Sequence, residues 1–291
     1  MKFCNSCDGC YANSLDVRFT KSCDNDCPFC IERCGISGQQ TNVEKLISST
    51  LESKKKDILI LGGEPLLKIE EVLAYVKGIR EYVDNIYITT SLPITIDSHW
   101  NTFCEIMNYI DGLNVSLQHY NSIVNNQALN ATSKHNRLEL LSKICKNDDF
   151  ANKVRVSINL VRGYIDTRLK LDVFLATMEI LNVKHVKINE LQHEPHLYVS
   201  FEELYSIKMK SPYAYGCQQN IRLKSHKDLK ITLKRACFCV NENLDATFMD
   251  MCKAILKTTI LKSKRSKNNN NNDFKVLYED GTLMKGWQKV K

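Results

Sequence analysis

The chain contains 291 residues, 43% of them apolar and 25% charged, with a formal net charge of +7. This composition is typical of a soluble globular protein, and the longest apolar run, at 58–63, is too short to span a bilayer. Residues 1–10 lack the apolar stretch of a secretory signal, so we expect a cytoplasmic protein without a membrane partner. In a reducing compartment, the 13 cysteines are expected as metal ligands or buried thiols.

Short β-like runs alternate with helical segments over the first two thirds of the chain. Helices are predicted from Thr41, where TNVE forms a capping box closed by Glu44, and near 67–84, 99–110, 134–147 and 169–181. The predicted strands lie at 14–20, 57–63, 85–90, 112–118, 153–161 and 183–191. Six strands alternating with helices favour an α/β fold with parallel strands, in the form of a partial (β/α)6 barrel.

This alternation ends after residue 192, where a cysteine-containing C-terminal extension is predicted. A helix over 200–210 would be capped by Ser200 with Glu203, and a hairpin over 274–287 would turn at Asp-Gly. Between them we expect a strand at 229–240, a helix at 243–262 and a low-complexity linker at 263–273. The predicted organisation is a cysteine-rich segment over 1–12, the barrel over 13–192 and the extension over 193–291.

The stretch SCDNDCPFC, at 22–30, places Cys23, Cys27 and Cys30 in C-x3-C-x2-C spacing directly after the first strand. A structural zinc site takes four protein ligands, and so does an ordinary electron-transfer iron–sulfur cluster. Three thiolates in one loop therefore leave a metal with an open position, where chemistry can occur.

Further polar and glycine-rich residues fall where the predicted strands end. These residues are Gly62, Gly63, Glu64 and Pro65 after the second strand, Thr89 and Ser91 at the third, Ser116 at the fourth, Ser157, Asn159 and Arg162 at the fifth, and Asn189 at the sixth. The carboxyl ends of parallel strands form one edge of a sheet, and α/β proteins build their sites there. The sequence thus predicts a single site at this edge.

The cysteine loop after the first strand and the GGEP after the second resemble the radical S-adenosylmethionine (radical SAM) superfamily, over about residues 13–192. The resemblance implies that Cys23, Cys27 and Cys30 bind three irons of a [4Fe-4S] cluster. It further implies that the methionine amine and carboxylate of SAM chelate the fourth iron. One electron from the cluster would then cleave SAM reductively to a 5′-deoxyadenosyl radical, which abstracts hydrogen from a substrate.

The resemblance also implies roles for residues near the cysteine loop. Phe29 would contact the adenine, and Glu64 would anchor its loop or accept a hydrogen bond from the methionine ammonium. Gly62 and Gly63 lack a Cβ, so their backbone can approach a ligand closely, and Pro65 fixes the turn.

On the fifth strand, Ser157 and Asn159 share one face and fit hydrogen bonds to the ribose, while Arg162 suits a carboxylate. The other candidates for cofactor contacts are Thr89, Ser91, Ser116 and Asn189. The family often has Thr-Asn-Gly where this chain has Thr89 to Ser91. The resemblance therefore does not support cofactor contacts from Thr89 and Ser91. His119 is either an acid or base, or a structural histidine, and no catalytic residue is assigned.

A second metal site, an iron–sulfur cluster or zinc, is predicted from other cysteines. The candidate ligands are Cys4, Cys7 and Cys10, spaced C-x2-C-x2-C, and Cys217, Cys237, Cys239 and Cys252 in the extension. The alternative is a set of buried thiols, because free cysteine is among the most buried residue types.

The leading interpretation is a radical SAM enzyme that acts on a small polar metabolite or nucleotide and receives electrons from a donor such as flavodoxin or ferredoxin. One alternative is a peptide-modifying maturase with an auxiliary cluster, since cysteine-rich C-terminal tails are common among such enzymes. The other is a zinc-binding, nucleic-acid-associated protein. Zinc leaves GGEP unexplained, and no interleaved aromatic and basic motif supports a nucleic-acid partner.

Overall fold

A ten-stranded, mostly parallel sheet organises the residues that the computed structural model describes, which are 14–30, 40–191, 194–207, 218–236 and 275–285. Its first six strands are β1 (Ser14–Thr20), β2 (Asp57–Gly62), β3 (Asn85–Thr90), β4 (Gly112–Ser116), β5 (Val154–Leu160) and β6 (His185–Glu190). Each of these strands pairs in parallel with the next one along the chain. The six predicted parallel strands are thereby confirmed.

Later segments of the chain extend both edges of this sheet. They supply β7 (Gln218–Ile221), β8 (Lys230–Lys234), β9 (Lys275–Leu277) and β10 (Leu283–Lys285). At one edge β8 lies parallel to β6 and carries β7 outside it; at the other, β9 lies parallel to β1 and carries β10. The sheet therefore ends in two separate edge strands and does not close, which confirms the predicted partial barrel.

The helices that connect the parallel strands cover one face of the sheet, because right-handed crossovers between strands in chain order all pass on the same side. They are α1 (Val43–Ser53), α2 (Ile69–Ile79), α3 (Thr95–Ser98), α4 (Trp100–Tyr109), α5 (Ser122–Ala128), α6 (Arg137–Cys145), α7 (Asp148–Lys153) and α8 (Arg168–Ile180), followed by α9 (Phe201–Tyr205) beyond β6. Short 3₁₀ turns lie at Pro65–Lys68, Arg80–Tyr82 and Pro195–Leu197. Strand residues such as Val17, Ile60 and Val156 are fully buried in this core.

The predicted start of the first helix is wrong by one residue. The side chain of Asn42 accepts a hydrogen bond from the amide of Lys45 at 3.0 Å, so Asn42 is the N-cap and the helix begins at Val43. Asparagine is among the strongest N-cap residues. Thr41 instead donates its hydroxyl to the carbonyl oxygen of Phe19 at 2.7 Å, which ties the entry of α1 to the end of β1.

The elements of the C-terminal region are confirmed in part. Ser200 caps α9 as predicted, but through the amide of Glu202, and the helix ends at Tyr205 because Ser206 adopts a left-handed conformation. The hairpin with an Asp-Gly turn is confirmed, with Gly281 at φ +85°. The predicted helix at 243–262 and the linker at 263–273 lie outside the described residues. Among the described residues, no helix combines the length and apolar character needed to cross a bilayer.

Candidate cluster and cofactor site

The cysteine loop follows β1, GGEP follows β2, and Thr89 to Ser91 close β3, so these neighbouring parallel strands bring the three stretches to one edge of the sheet. The pairing of β4 with β5 and of β5 with β6 extends this arrangement across the sheet, because Ser116 lies opposite Ser157 and Asn159 lies opposite Asn189. The structure therefore places the predicted site residues of all six strands at the same edge.

The three cysteines of the loop are in the thiol form. The amide of Cys30 donates to the carbonyl oxygen of Cys27 at 3.1 Å, which folds the second half of the loop into a turn. Burial, together with the nearby thiols, raises the pKa of Cys27 to about 12. Burial also raises the pKa of Cys23 to about 11, against hydrogen bonds from the backbone and side chain of Asn25 that lower it.

The donor set fits an iron–sulfur cluster better than a single metal ion. Among the described residues, no three or more His, Cys, Asp or Glu side chains converge on a position for one metal ion. A [4Fe-4S] cluster requires no such convergence, since each cysteine thiolate binds a different iron. Cys23, Cys27 and Cys30 would hold three irons as thiolates, because metal coordination deprotonates a thiol even where burial favours the neutral form.

The GGEP stretch is bound to the backbone of the cysteine loop. The amide of Gly63 donates to the carbonyl oxygen of Thr20 at 2.7 Å, and the amide of Glu64 donates to that of Ser22 at 2.8 Å. A Cβ on Gly63 would lie 2.3 Å from the Ser22 carbonyl oxygen, and Gly62 has a φ of +129°. Glycine is required at both positions because the two loops approach each other so closely. The close approach seen here is between loops, and contact of these glycines with a ligand stays a prediction.

Glu64 links the second and third strand loops from a buried position. Its carboxylate accepts hydrogen bonds from the amide of Leu66, the hydroxyl of Thr90, and both the amide and the hydroxyl of Ser91, at 2.6–3.1 Å. Burial raises the pKa of Glu64, while these bonds act to lower it. The anchoring role predicted for Glu64 agrees with these contacts, and Pro65 begins the 3₁₀ turn that follows. Thr90, whose hydroxyl donates to this carboxylate, was not among the site residues predicted from the sequence.

Arg137, at the start of α6, fastens the opposite side of the same loops and was not predicted from the sequence. Its side chain is fully buried. The guanidinium donates to Ser91 O at 2.9 Å, Asn126 Oδ1 at 2.5 Å, Ser133 O at 3.3 Å, Asp24 Oδ2 at 3.0 Å and Asn25 Oδ1 at 3.0 Å. Burial lowers the pKa of Arg137, and the charge of Asp24 opposes that shift. One buried cation thus joins the cysteine loop, the β3 loop and two helices.

The segment after α5 holds the cysteine loop by its backbone. The amide of Asp26 donates to the carbonyl oxygen of Leu129 at 3.1 Å. The amide and hydroxyl of Thr132 both donate to the carbonyl oxygen of Asp24 at 2.9 Å. The loop is therefore fixed on one side by GGEP and on the other by residues 129–137.

Polar residues predicted to contact SAM lie half-exposed on the face of the sheet opposite the buried strand residues. On β5, Ser157 and Asn159 alternate with buried apolar residues. The hydroxyl of Ser157 accepts a hydrogen bond from the side-chain amide of Asn189 at 2.8 Å, and the amide of Asn159 donates to Gln118 Oε1 at 3.2 Å. Ser116 and Thr89 are half-exposed on the neighbouring strands. Their contacts with a cofactor stay predictions.

Three other candidates differ in their surroundings. Phe29 is half-buried within the cysteine loop. Arg162 is exposed and donates to the carbonyl oxygen of Tyr198 at 3.2 Å. His119 is buried and accepts a hydrogen bond at Nδ1 from the amide of Asn121 at 3.0 Å, and burial lowers its pKa. These contacts favour a structural role for His119.

The seven cysteines predicted for a second site, and Cys34 just after the first, lie outside the described residues. The seven are Cys4, Cys7, Cys10, Cys217, Cys237, Cys239 and Cys252. The second iron–sulfur cluster or zinc site stays a prediction.

A three-cysteine loop at the carboxyl edge of an open, mostly parallel sheet defines a cluster-binding partial barrel, and comparison with known proteins supports that class. Residues 2–138, just under half of the chain, match the family described as 4Fe-4S single cluster domain, which supports the predicted cluster. No curated protein matches the sequence.

Solved radical SAM enzymes share the fold. SuiB from Streptococcus suis, bound to its precursor peptide SuiA, has a TM-score of 0.62 at 13% identity, over 94% of this chain and 59% of that one. The protein anSMEcpe, bound to AdoMet and a Cp18Cys peptide, has a TM-score of 0.52 at 12% identity, over 94% and 73%. TYW1, with a lysine-pyruvate adduct bound, has a TM-score of 0.51 at 14% identity, over 80% and 84%.

These likenesses concern the fold, and the chain spans less than two thirds of the length of SuiB. The cluster-domain match and the partial-barrel fold agree with the predicted resemblance to the radical SAM superfamily; the match covers less than half of the chain, and the solved structures show the fold alone.

Proposed function

We propose that this chain is a radical SAM enzyme that generates a 5′-deoxyadenosyl radical and abstracts hydrogen from a substrate. The observation that carries the proposal is a loop with three cysteines, fixed on both sides at the carboxyl edge of the sheet. The other two cysteines of the described residues, Cys104 and Cys145, lie in helices α4 and α6. A cluster bound here would supply one electron to the sulfonium of SAM, which breaks a carbon–sulfur bond.

The residues of the chain would bind, orient and shield the reactants. Cys23, Cys27 and Cys30 would ligate the cluster, and Phe29 would pack against the adenine. The hydrogen bonds of Glu64 hold the GGEP loop against the loop after β3 before any ligand arrives, so its orientation costs little on binding.

The sheet face beside this loop would bind the rest of SAM. On this face, Ser116 is paired with Ser157, and Asn159 is paired with Asn189, across neighbouring strands. Hydroxyl and carboxamide groups of this kind suit the ribose and the methionine groups, because they both donate and accept hydrogen bonds. Arg162 is the candidate for the methionine carboxylate.

For the substrate we propose a small polar metabolite or nucleotide, with flavodoxin or ferredoxin as the class of electron donor. The polar face of β5 and β6 supports this choice, since Lys187 lies opposite Ser157 on the same face. A peptide is the second candidate. It is favoured by the fold shared with SuiB and anSMEcpe, whose structures contain peptides.

The test is anaerobic reconstitution with iron and sulfide, reduction with dithionite, and assay of 5′-deoxyadenosine formed from added SAM. The control is the Cys23→Ala, Cys27→Ala, Cys30→Ala triple variant, with iron counted in both proteins. We expect 5′-deoxyadenosine from the wild type and none from the variant, and iron that persists in the variant would indicate a second cluster. A wild type that binds zinc, or that binds iron but never cleaves SAM under any reductant, would contradict the proposal.

A further inference from the structure

Asn25 lies between Cys23 and Cys27 in the sequence, and its carboxamide faces the sulfur of Cys23. Its Nδ2 is 3.8 Å from Cys23 Sγ, 2.7 Å from Ser91 Oγ and 3.1 Å from Asp24 Oδ1. These contacts make Nδ2 a hydrogen-bond donor to a cysteine of the cluster loop.

The orientation of this carboxamide is set by Arg137. A guanidinium carries only donors, so the group facing it must be an acceptor. Asn25 Oδ1 accepts from Arg137 Nη2 at 3.0 Å, which leaves Nδ2 on the side of Cys23 and Ser91. Without that cation the carboxamide would lose the partner of its oxygen and would be held only through Nδ2, by Ser91 Oγ and Asp24 Oδ1.

Arg137 also holds the groups on either side of Asn25. The same Nη2 donates to Asp24 Oδ2 at 3.0 Å, and Nε donates to the carbonyl oxygen of Ser91 at 2.9 Å. Asn25 is therefore fixed by Arg137 both directly and through Ser91, and the positive charge stays close to the cluster loop because the arginine is fully buried.

We propose that Arg137 is a positioning residue that acts through Asn25 to set the reduction potential of the cluster. The inference rests on the proposed function only in requiring a cluster on Cys23, Cys27 and Cys30. Hydrogen bonds to the sulfurs and nearby net charge are among the main determinants of iron–sulfur potentials. A donor to Cys23 Sγ and a buried cation both stabilise the reduced, more negative cluster.

The direction of the expected effects follows from this. Asn25→Ala removes the donor to sulfur and lowers the midpoint potential. Asn25→Asp places a carboxylate there and lowers it further. Arg137→Gln removes the charge and lowers the potential as well. Arg137→Lys retains the charge, so its potential should lie between those of Arg137→Gln and the wild type.

Arg80 provides the matched control. It lies at the other end of the sheet, before β3, and donates four hydrogen bonds, to Tyr109 O, Val83 O, Asp84 O and Asp111 Oδ2, against five for Arg137. Arg80→Gln is expected to weaken the fold and to leave the potential unchanged.

The experiment is a redox titration of reconstituted, SAM-free protein followed by electron paramagnetic resonance, with iron counted in each variant. We expect the midpoint potential to fall in Asn25→Ala, to fall further in Asn25→Asp, and to stay unchanged in Arg80→Gln. We also expect cluster affinity to fall about 10- to 100-fold in Arg137→Gln, as for other residues that support metal ligands. Unchanged potentials in both Asn25 variants overturn the inference, whether or not the Arg137 variants assemble. A wild type without a cluster instead overturns the proposed function, so the two failures are distinguishable.

Discussion

Two arginines fasten opposite ends of the parallel sheet, and their partners differ in kind. Arg80, at the amino end of β3, binds three backbone carbonyl oxygens and one carboxylate, and its side chain is 26% exposed. Arg137, at the carboxyl end, is fully buried and binds three side chains together with two carbonyl oxygens.

Every residue has a backbone carbonyl, so most of the contacts of Arg80 would survive changes in its neighbours. The contacts of Arg137 require an aspartate at 24 and asparagines at 25 and 126. The arginine at the amino end therefore stabilises connections between helices and strands through their backbone, whereas the arginine at the carboxyl end depends on particular side chains around the site. Dependence on particular side chains at the carboxyl end is expected of an α/β barrel, because such barrels build their sites at that edge.

The largest effect that separates the two ends is expected for Arg137→Met. The substitution leaves the carboxylate of Asp24, 12% exposed, without its partner. Breaking a buried ion pair from one side costs about 3–5 kcal/mol of unfolding free energy. Arg80→Met should cost less, because Asp111 is 39% exposed and can be hydrated.

The measurement is urea unfolding of both variants without the cluster, so that metal binding does not contribute to stability. Equal losses for Arg137→Met and Arg80→Met would remove the distinction between the two ends.

An intermediate effect is expected for Glu64→Gln at the carboxyl end. The carboxylate accepts from four donors, and a glutamine amide would turn its own donors toward those of Ser91 or Thr90. Hydrogen bonds to charged groups contribute about 1.5–3 kcal/mol, so we expect a loss in that range. The exposed Glu70, which accepts from Thr102 at 2.9 Å, is the control, and Glu70→Gln should be nearly neutral in the same unfolding assay. A neutral Glu64→Gln would show that the carboxylate does not anchor the two loops.

The smallest effect concerns the entry to α1, just beyond β1. Asn42→Ala removes the N-cap and should cost about 1 kcal/mol of unfolding free energy. Thr41→Val removes only the hydroxyl bond to Phe19 O, and should cost less. If Thr41→Val costs more than Asn42→Ala, the assignment of the cap to Asn42 is contradicted.

The strands and the shared edge could be predicted because they depend on local patterns. Runs such as 58–63 are apolar throughout, as buried parallel strands are, and the alternation of strands with helices fixes the common direction of their carboxyl ends. The cysteine spacing and GGEP likewise lie within short stretches. The capping-box spacing to Glu44 assigns the cap to Thr41 and not to Asn42, although both residue types accept hydrogen bonds from helix N-termini.

The role of Arg137 could not be read from spacing, because Arg137 and Asn25 lie 112 residues apart and meet only through the fold. A single signal was available. Arg137 occupies the first position of α6, where a positive charge is unfavourable beside the positive end of the helix dipole. An arginine in that place indicates a compensating anion or acceptor, but not which strand loop supplies it.

Whether the three cysteines hold a cluster with an open iron for SAM is best measured by the electron paramagnetic resonance spectrum of the reduced, reconstituted protein before and after SAM is added. We expect SAM to change the spectrum, because its amine and carboxylate would enter the coordination of one iron. A reduced cluster whose spectrum is identical with and without saturating SAM would contradict this expectation.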